Sequence, residues 1–293
     1  MQAVRYARAS SVDEAVQLLR DGGPTTKVLA GGTDVIVLAR ERRRDVGLLV
    51  DIKRIPDLVG IHHSAGDGLD VGAATPLYRV YGDADVLRDY RALAQASHVI
   101  GGTAIQGRAS LGGNLANSSP AADSIPAMIA LDGVAHIAGP NGAREVPVAE
   151  FCTGPGANVL EAGEFVVKLH FPPRAANSGS AWERFIPRNE MDIAVVNAAA
   201  SITLEGDVVA DARLALGAVA PTPLRLTEAA QALVGRRLDD ATIEAASAAA
   251  AAAARPISDM RGTEAYRRHL AGVLTGRVMR AAAARARGEE AGS

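Results

Sequence analysis

Two short segments carry the residue types that bind phosphate: AGGTD at 30–34 and SLGGN at 110–114. Adjacent glycines let backbone N–H groups approach an anion closely, and they permit the left-handed conformations of an anion-binding nest. Thr33, Ser110 and Asn114 add side-chain donors. Together the two segments could grip the two phosphates of a pyrophosphate from opposite sides. Asp34 and Asp123 flank them and would repel phosphate; hydroxyls of a sugar or ribityl chain, or N–H groups, suit these acids better. Asp123 also directly precedes the apolar run SIPAMIAL, so capping that helix is a second role for it, compatible with the first.

Other nucleotide and catalytic motifs fail at the residues that matter. GTAIQGRA (102–109) has the glycine spacing of a phosphate loop but neither its lysine nor its magnesium-binding hydroxyl. A G-x-G-x-x-G followed by an acid is absent, and so is G-x-S-x-G. His62 and His63 are adjacent with no third ligand nearby, which predicts exposed loop histidines rather than a metal site. Cys152 is the single cysteine, so neither an internal disulfide nor an all-cysteine iron–sulfur site can form within this chain. No side chain stands out as a proton-transfer catalyst.

Composition narrows the partners. The 293 residues are 48% hydrophobic and 22% charged, with a formal net charge of −2. That balance makes no electrostatic case for nucleic acid or an anionic membrane. The basic run at Arg40–Arg44 reads as a solvated helix end. No apolar signal-like segment opens the sequence, and the alanine-rich tract near 245–254 reads as a soluble helix, because alanine is the best helix former and a weak membrane former. Cytoplasmic location without membrane attachment is the expectation.

The elements that would position the two clusters follow from patterning. SVDE (11–14) predicts a capped helix, KVLA a strand, VIVLARERR a helix and LLVDI a strand, forming a small α/β unit. A second unit holds the strand LDVGA, the helical stretches TPLYRVYGD and VLRDYRALAQASHVI, the glycine-rich region 101–122, whose RASLGGNLANSSPAAD stretch reads as a polar loop, a helix over about 123–131, and strands VAHIAG, AREVPV and EFVVKLHF. The proline-to-glycine/serine shift at 170–180 marks a domain boundary. Beyond it, SAWERFI, DIAVVNAAASITL and DVVADARLALGAV predict a three-stranded meander, and three helical stretches follow. Strands followed by helices indicate an α+β domain.

These segments resemble the flavoprotein (medium) subunits of the xanthine dehydrogenase and aerobic carbon monoxide dehydrogenase family of molybdenum hydroxylases. KVLAGGTDV and IQGRASLGGNLANSSPAADSIPAMIAL resemble the family's two FAD pyrophosphate segments; PRNEMDIAVVNAA, GAVAPTPLR and DMRGTEAYRRHLAGVL resemble its C-terminal segments. The resemblance implies an α+β fold with a vanillyl-alcohol-oxidase (PCMH)-type FAD-binding domain at 1–175, built of two α/β subdomains (about 1–57 and 58–175). A C-terminal flavoprotein domain at 178–287, with a three-stranded antiparallel sheet and a helical bundle, would close the flavin site, and 288–293 would be a disordered tail.

By matching positions, the resemblance implies FAD contacts at Val28, Leu29, Ala30, Gly31, Gly32, Thr33, Asp34 and Val35, and at Ser110, Leu111, Gly112, Gly113 and Asn114. Ile100 falls where the family packs an apolar side chain on the cofactor, Asp123 where it binds FAD through an acid, and Val166 and Arg184 at further contacts. Arg184 is a departure, since a related enzyme has lysine there, with different reach and geometry. The implied role is electron transfer through FAD, between [2Fe–2S] clusters on a small partner subunit and an external acceptor. A large molybdenum-cofactor subunit would oxidise the substrate, the whole forming a dimer of heterotrimers. The AGGTD and NSSPAAD versions look nearer the xanthine and N-heterocycle branch than the carbon monoxide branch. A self-sufficient FAD oxidase of the same fold, a carbon monoxide dehydrogenase medium subunit and a scaffold that has lost FAD are the alternatives.

Overall fold

The computed structural model describes residues 3–43 and 45–289; Arg44 of the basic run and the last four residues of the expected tail lie outside them. The chain opens with β1 (Arg5–Arg8), α1 (Val12–Asp21), β2 (Thr26–Leu29), α2 (Val35–Arg40) and β3 (Leu48–Asp51). The strands form a parallel sheet in the order β1-β3-β2. β1 was not foreseen, because RYAR lacks an apolar run; parallel pairing to β3 defines it. Ser11 Oγ caps α1 by accepting from the Glu14 N–H at 3.1 Å. The returning contact is shifted by one residue: the Glu14 carboxylate accepts from the N–H and hydroxyl of Ser10.

The second unit begins with β4 (Ile61–Ser64) and β5 (Gly68–Gly72). Six helices follow: α3 (Leu77–Gly82), α4 (Ala84–Asp89), α5 (Arg91–His98), α6 (Thr103–Gln106), α7 (Leu111–Asn117) and α8 (Ser124–Ala130). Then come β6 (Val134–Gly139), β7 (Gly142–Pro147), α9 (Val148–Phe151), the two-stranded β8 (Cys152–Gly154) and β9 (Ala157–Asn158), and β10 (Phe165–Phe171). The main sheet runs β4-β5-β10-β6-β7 and is antiparallel throughout. The alternating pattern that suggested a second α/β unit comes from helices inserted between β5 and β6, not from parallel crossovers.

Three local readings are corrected. The histidine pair lies on β4: His62 is exposed, while His63 is largely covered, its ring nitrogens 3.7 and 3.6 Å from Asp85 and Asp89. The helical stretch through residues 86–98 breaks at Tyr90, whose non-helical backbone lets its hydroxyl donate to the Pro172 carbonyl at 2.9 Å. The glycine-rich region holds two helices, α6 and α7, where a loop was expected.

The C-terminal unit contains β11 (Ser178–Phe185), β12 (Val196–Glu205), β13 (Val208–Gly217) and β14 (Leu224–Arg225), then α10 (Thr227–Gln231), α11 (Asp240–Ala253) and α12 (Glu264–Ala286). The expected meander is present, with the two-residue β14 added at its edge as a fourth antiparallel strand. The long helix α12 lies on β11 and β12 with α11 beside it, so these two helices form a layer on the sheet. Small residues make that layer tight: a Cβ at Gly179 would stand 2.2 Å from the Ala282 carbonyl oxygen, and Gly272 and Gly276 face Ser247 of α11. This close approach accounts for the alanine tract. No helix among the described residues is long and apolar enough to cross a membrane.

Helix α8 joins the halves. Every residue from Ser124 to Ala130 is buried, with α5 and α7 on one side and β12 and β13 on the other. The Ala218 N–H donates to the Pro120 carbonyl at 2.7 Å, and Asp132, just past the helix, bonds Arg213 and Arg225.

Candidate functional site

The two glycine clusters lie on facing walls of one cleft of about 580 Å³, within the size range of small-molecule and cofactor sites. AGGTD leaves β2 and enters α2, while Ser110 caps α7 through a 3.2 Å bond from the Gly113 N–H. Both helix starts therefore border the cleft, and a helix start leaves its first backbone N–H groups without intrahelical partners.

The glycines have different reasons to be glycine. Gly32 has φ +78, the left-handed value expected of a nest, whereas neither Gly112 nor Gly113 has a positive φ and both belong to α7. Gly31 packs against the backbone of the other wall, since a Cβ there would stand 2.2 Å from the Arg108 carbonyl oxygen. Arg108 closes the same junction from its side, donating from Nε to the Gly31 carbonyl at 3.1 Å. Gly112 packs on Ala73, 2.5 Å from a notional Cβ. At Gly113 a Cβ would meet only the Ser110 hydroxyl, at 3.1 Å, so its missing side chain is space within the cleft.

Of the positions singled out in the sequence, Val28, Ala30, Gly31, Gly32, Thr33, Asp34, Val35, Ile100, Ser110, Gly112, Gly113, Asn114 and Val166 line this cleft. Leu29 and Leu111 are in the core and can offer only backbone atoms. Val166 lies just before a register shift between β10 and β6, and both it and Phe165 line the cleft. Asp34 is exposed, stands at the start of α2 without a capping bond, and makes long 3.4 Å contacts to Thr33 and Asn117.

Asp123 and Arg184 stand apart from the cleft lining and pair with each other, Nη1 to Oδ2 at 2.8 Å. Asp123 does not cap α8: its backbone is already helical and its side chain makes no capping bond. Its Oδ1 is buried, and the Asn197 side chain lies close enough to favour the carboxylate. Burial pushes the Asp123 carboxyl up to about 7, against the pull of the Arg184 charge. Residue-type reasoning missed Thr26, whose buried hydroxyl lacks a partner, and Glu164, both on the cleft wall. Thr26 directly precedes KVLA, the one signal that could have found it. Cys152 is half-buried, with its thiol pushed up by burial, and is absent from the lining.

Facing glycine-rich helix starts over a cleft of this size define a protein that binds a dinucleotide-type cofactor. Residues 2–174 match the family described as FAD binding domain in molybdopterin dehydrogenase, and residues 184–282 match the CO dehydrogenase flavoprotein C-terminal domain. The chain is 35% identical over 97% of its length to a putative xanthine dehydrogenase FAD-binding subunit of Escherichia coli (strain K12), covering 97% of that protein. It is 33% identical to the carbon monoxide dehydrogenase medium chain of Hydrogenophaga pseudoflava, covering 96% of this chain and 97% of that one. The solved carbon monoxide dehydrogenase of H. pseudoflava superposes with a TM-score of 0.93 at 33% identity, over 97% of this chain and 98% of the other. Quinoline 2-oxidoreductase of Pseudomonas putida 86 follows at a TM-score of 0.90 and 32% identity, over 97% and 98%. The chain belongs to the FAD-binding subunits of the molybdopterin dehydrogenase family, and FAD is its cofactor. The residues fit that group: Gly113 leaves room for a close backbone approach, and Thr26 Oγ1 is a buried polar atom without a partner on the cleft wall.

Proposed function

We propose that this chain is the FAD-carrying electron-transfer subunit of a multi-subunit molybdenum hydroxylase. The observation that carries the reading is the cleft in which both glycine-rich helix starts converge, in a chain that matches FAD-binding relatives almost end to end. Gly31 to Val35 and Ser110 to Asn114 hold the diphosphate through backbone N–H groups and the Ser110 and Asn114 side chains. Ile100 and Val166 pack on the cofactor, and the surrounding apolar side chains exclude water from it. Asp123 accepts a hydrogen bond from a cofactor hydroxyl. The FAD supplies the redox chemistry, and the protein supplies position and electrostatics. This arrangement is the vanillyl-alcohol-oxidase (PCMH)-type plan, with residues 1–175 as the FAD domain, split near 57, and residues 178–287 as the second domain.

The electrons come from another chain, because a cluster with four cysteine ligands cannot be built from the single Cys152. A small subunit with [2Fe–2S] clusters and a large molybdenum-cofactor subunit complete the complex, as a dimer of heterotrimers in the cytoplasm. The relatives are named for xanthine, quinoline, glyceraldehyde and carbon monoxide. A purine, N-heterocycle or aldehyde is the substrate class favoured by AGGTD and NSSPAAD; carbon monoxide would leave this chain's role unchanged.

The test is flavin reduction. The purified chain should be yellow with FAD, inert to purines, N-heterocycles and aldehydes alone, and reduced by one of them within its complex. Substrate-dependent reduction of the isolated chain would instead establish a self-sufficient oxidase, and a folded chain that refuses added FAD would overturn the reading altogether.

A further inference from the structure

We infer that Arg108 is a positioning residue of the cofactor cleft, whose Nε–H holds the Gly31–Gly32 peptide in the orientation that leaves the Gly32 N–H to the FAD diphosphate. The inference rests on the FAD reading of the cleft and extends it to a side chain that does not line it.

The first glycine cluster has little restraint of its own. Gly31 and Gly32 adjoin, and Gly32 sits at φ +78, so the peptide between them has no side chain on either flank to resist rotation. Among the described residues, the N–H groups of Gly32, Thr33 and Asp34 have no hydrogen-bond partner in the protein, and all three residues line the cleft. The Gly32 carbonyl accepts from the Ile36 N–H at 3.2 Å, in the first turn leading into α2. The Gly31 carbonyl, one residue earlier, accepts from Arg108 Nε at 3.1 Å. A trans peptide points its carbonyl and its N–H in opposite directions within one plane. Holding the Gly31 oxygen therefore fixes the direction of the Gly32 N–H. If that peptide turned over, a carbonyl oxygen would take the place of a donor on the wall that meets the phosphates, and it would repel the anion that the N–H attracts.

Arg108 can serve as this anchor because its backbone belongs to the opposite wall. Its N–H donates to the Ile105 carbonyl at 3.0 Å, the Ala109 N–H donates to the same carbonyl at 2.8 Å, and the Ala109 carbonyl accepts from Leu77 at 2.9 Å. Ser110, the cap of α7, follows directly. The Arg108 carbonyl and Ala109 Cα also form the surface on which Gly31 packs. One residue thus sets the spacing of the two glycine clusters through its backbone, and the peptide orientation of the first cluster through its side chain. Arg108 is exposed and absent from the cleft lining, so it acts on the ligand through Gly31 and not by contact.

The experiment titrates FAD into the full-length, FAD-stripped chain, following flavin fluorescence. In Arg108→Gln the side-chain amide nitrogen stands where Nε stood, so the donor stays and the charge goes; in Arg108→Met a methyl group stands there and both go. Arg108→Met should bind FAD roughly tenfold more weakly, the loss of one charge-assisted bond to phosphate, and Arg108→Gln should stay within about twofold of wild type. At saturating FAD, phosphorus NMR reads the diphosphate directly. Its resonances should move in Arg108→Met and return to their wild-type positions in Arg108→Gln, a rescue that a loss of general packing would not produce. Thermal melts of the FAD-free chains check folding; should Arg108→Met fail to fold, Arg108→Ala takes its place with the same expectations. Wild-type affinity or unmoved diphosphate resonances in the donor-free variant overturn the inference. So does Arg108→Gln as weak as Arg108→Met, which assigns the effect to charge, and so does a chain that folds with neither methionine nor alanine, which makes Arg108 a structural residue. Wild type failing to take up FAD is a separate outcome that defeats the FAD reading beneath it.

Discussion

Gly113→Ala separates the two demands that meet at the second glycine cluster. Gly113 occupies the third position of α7 and has no left-handed φ, so its backbone accepts alanine. The added methyl meets one atom, the Ser110 hydroxyl oxygen at 3.1 Å, and a shift of a few tenths of an ångström relieves it. Against that small strain, alanine gains up to about 1 kcal/mol over glycine inside a helix. At about 2–4 °C per kcal/mol for chains approaching this size, the FAD-free variant should melt within a few degrees of wild type or above it. The same methyl occupies cleft space that a cofactor phosphate would use to reach the backbone. Losing one charge-assisted hydrogen bond of about 1.5–3 kcal/mol weakens FAD binding roughly ten- to a hundredfold. Thermal unfolding of the stripped protein and flavin-fluorescence titration read the two effects separately, and Gly113→Val should abolish FAD retention. A Gly113→Ala protein that binds FAD like wild type would show that the glycine serves the helix and not the ligand.

Gly31→Ala should lose stability and FAD together. Its Cβ would stand 2.2 Å from the Arg108 carbonyl oxygen and 2.9 Å from Ala109 Cα, all backbone, so the cleft walls must part, at about 1–3 kcal/mol; an unchanged melting temperature would refute this packing role. Glu164→Gln tests the rim, where Arg144 makes two 2.7 Å bonds to the carboxylate and holds it below its ordinary range, against burial. A depressed carboxylate contributes stability above its unfolded pKa of about 4.3 and loses it as pH falls through the folded value. The variant should therefore be less stable near neutrality, by no more than about 1 kcal/mol at this partly solvated site. It should converge with wild type in acid; a deficit that persists there would mean packing and not charge.

Much of the site was legible because glycine pairs and donors cluster in sequence where they cluster in space. AGGTD and SLGGN both reach the cleft, and Ile100 and Val166 reach it from distant positions that residue types alone would not have chosen. What the sequence hid was conformation. A run of small polar residues reads as loop because glycine weakens a helix, yet Ser110 caps α7 and core contacts of Leu111 and Leu115 hold it. Asp123 before an apolar run reads as a cap because acids favour that position, yet its backbone is helical and its carboxylate turns to an arginine 61 residues away. The antiparallel order of the main sheet was likewise hidden, since pairing across a helical insertion leaves no local signal.

The burial of α8 ties these corrections together. No residue of α8 is exposed because both halves cover it: its α5 and α7 face belongs to the cofactor half, and its β12 and β13 face to the other. Charges pin both of its ends from the C-terminal side, Arg184 on Asp123 before it and Arg213 with Arg225 on Asp132 after it. The hydroxyl at its first residue bonds Asn114 on the cleft wall. Any displacement of the C-terminal domain must therefore move α8 or uncover a buried carboxylate, and either change reaches the second glycine cluster. Cofactor occupancy and domain docking are then linked equilibria, and the FAD-bound chain should resist proteolysis at the 172–177 connection more than the stripped chain does.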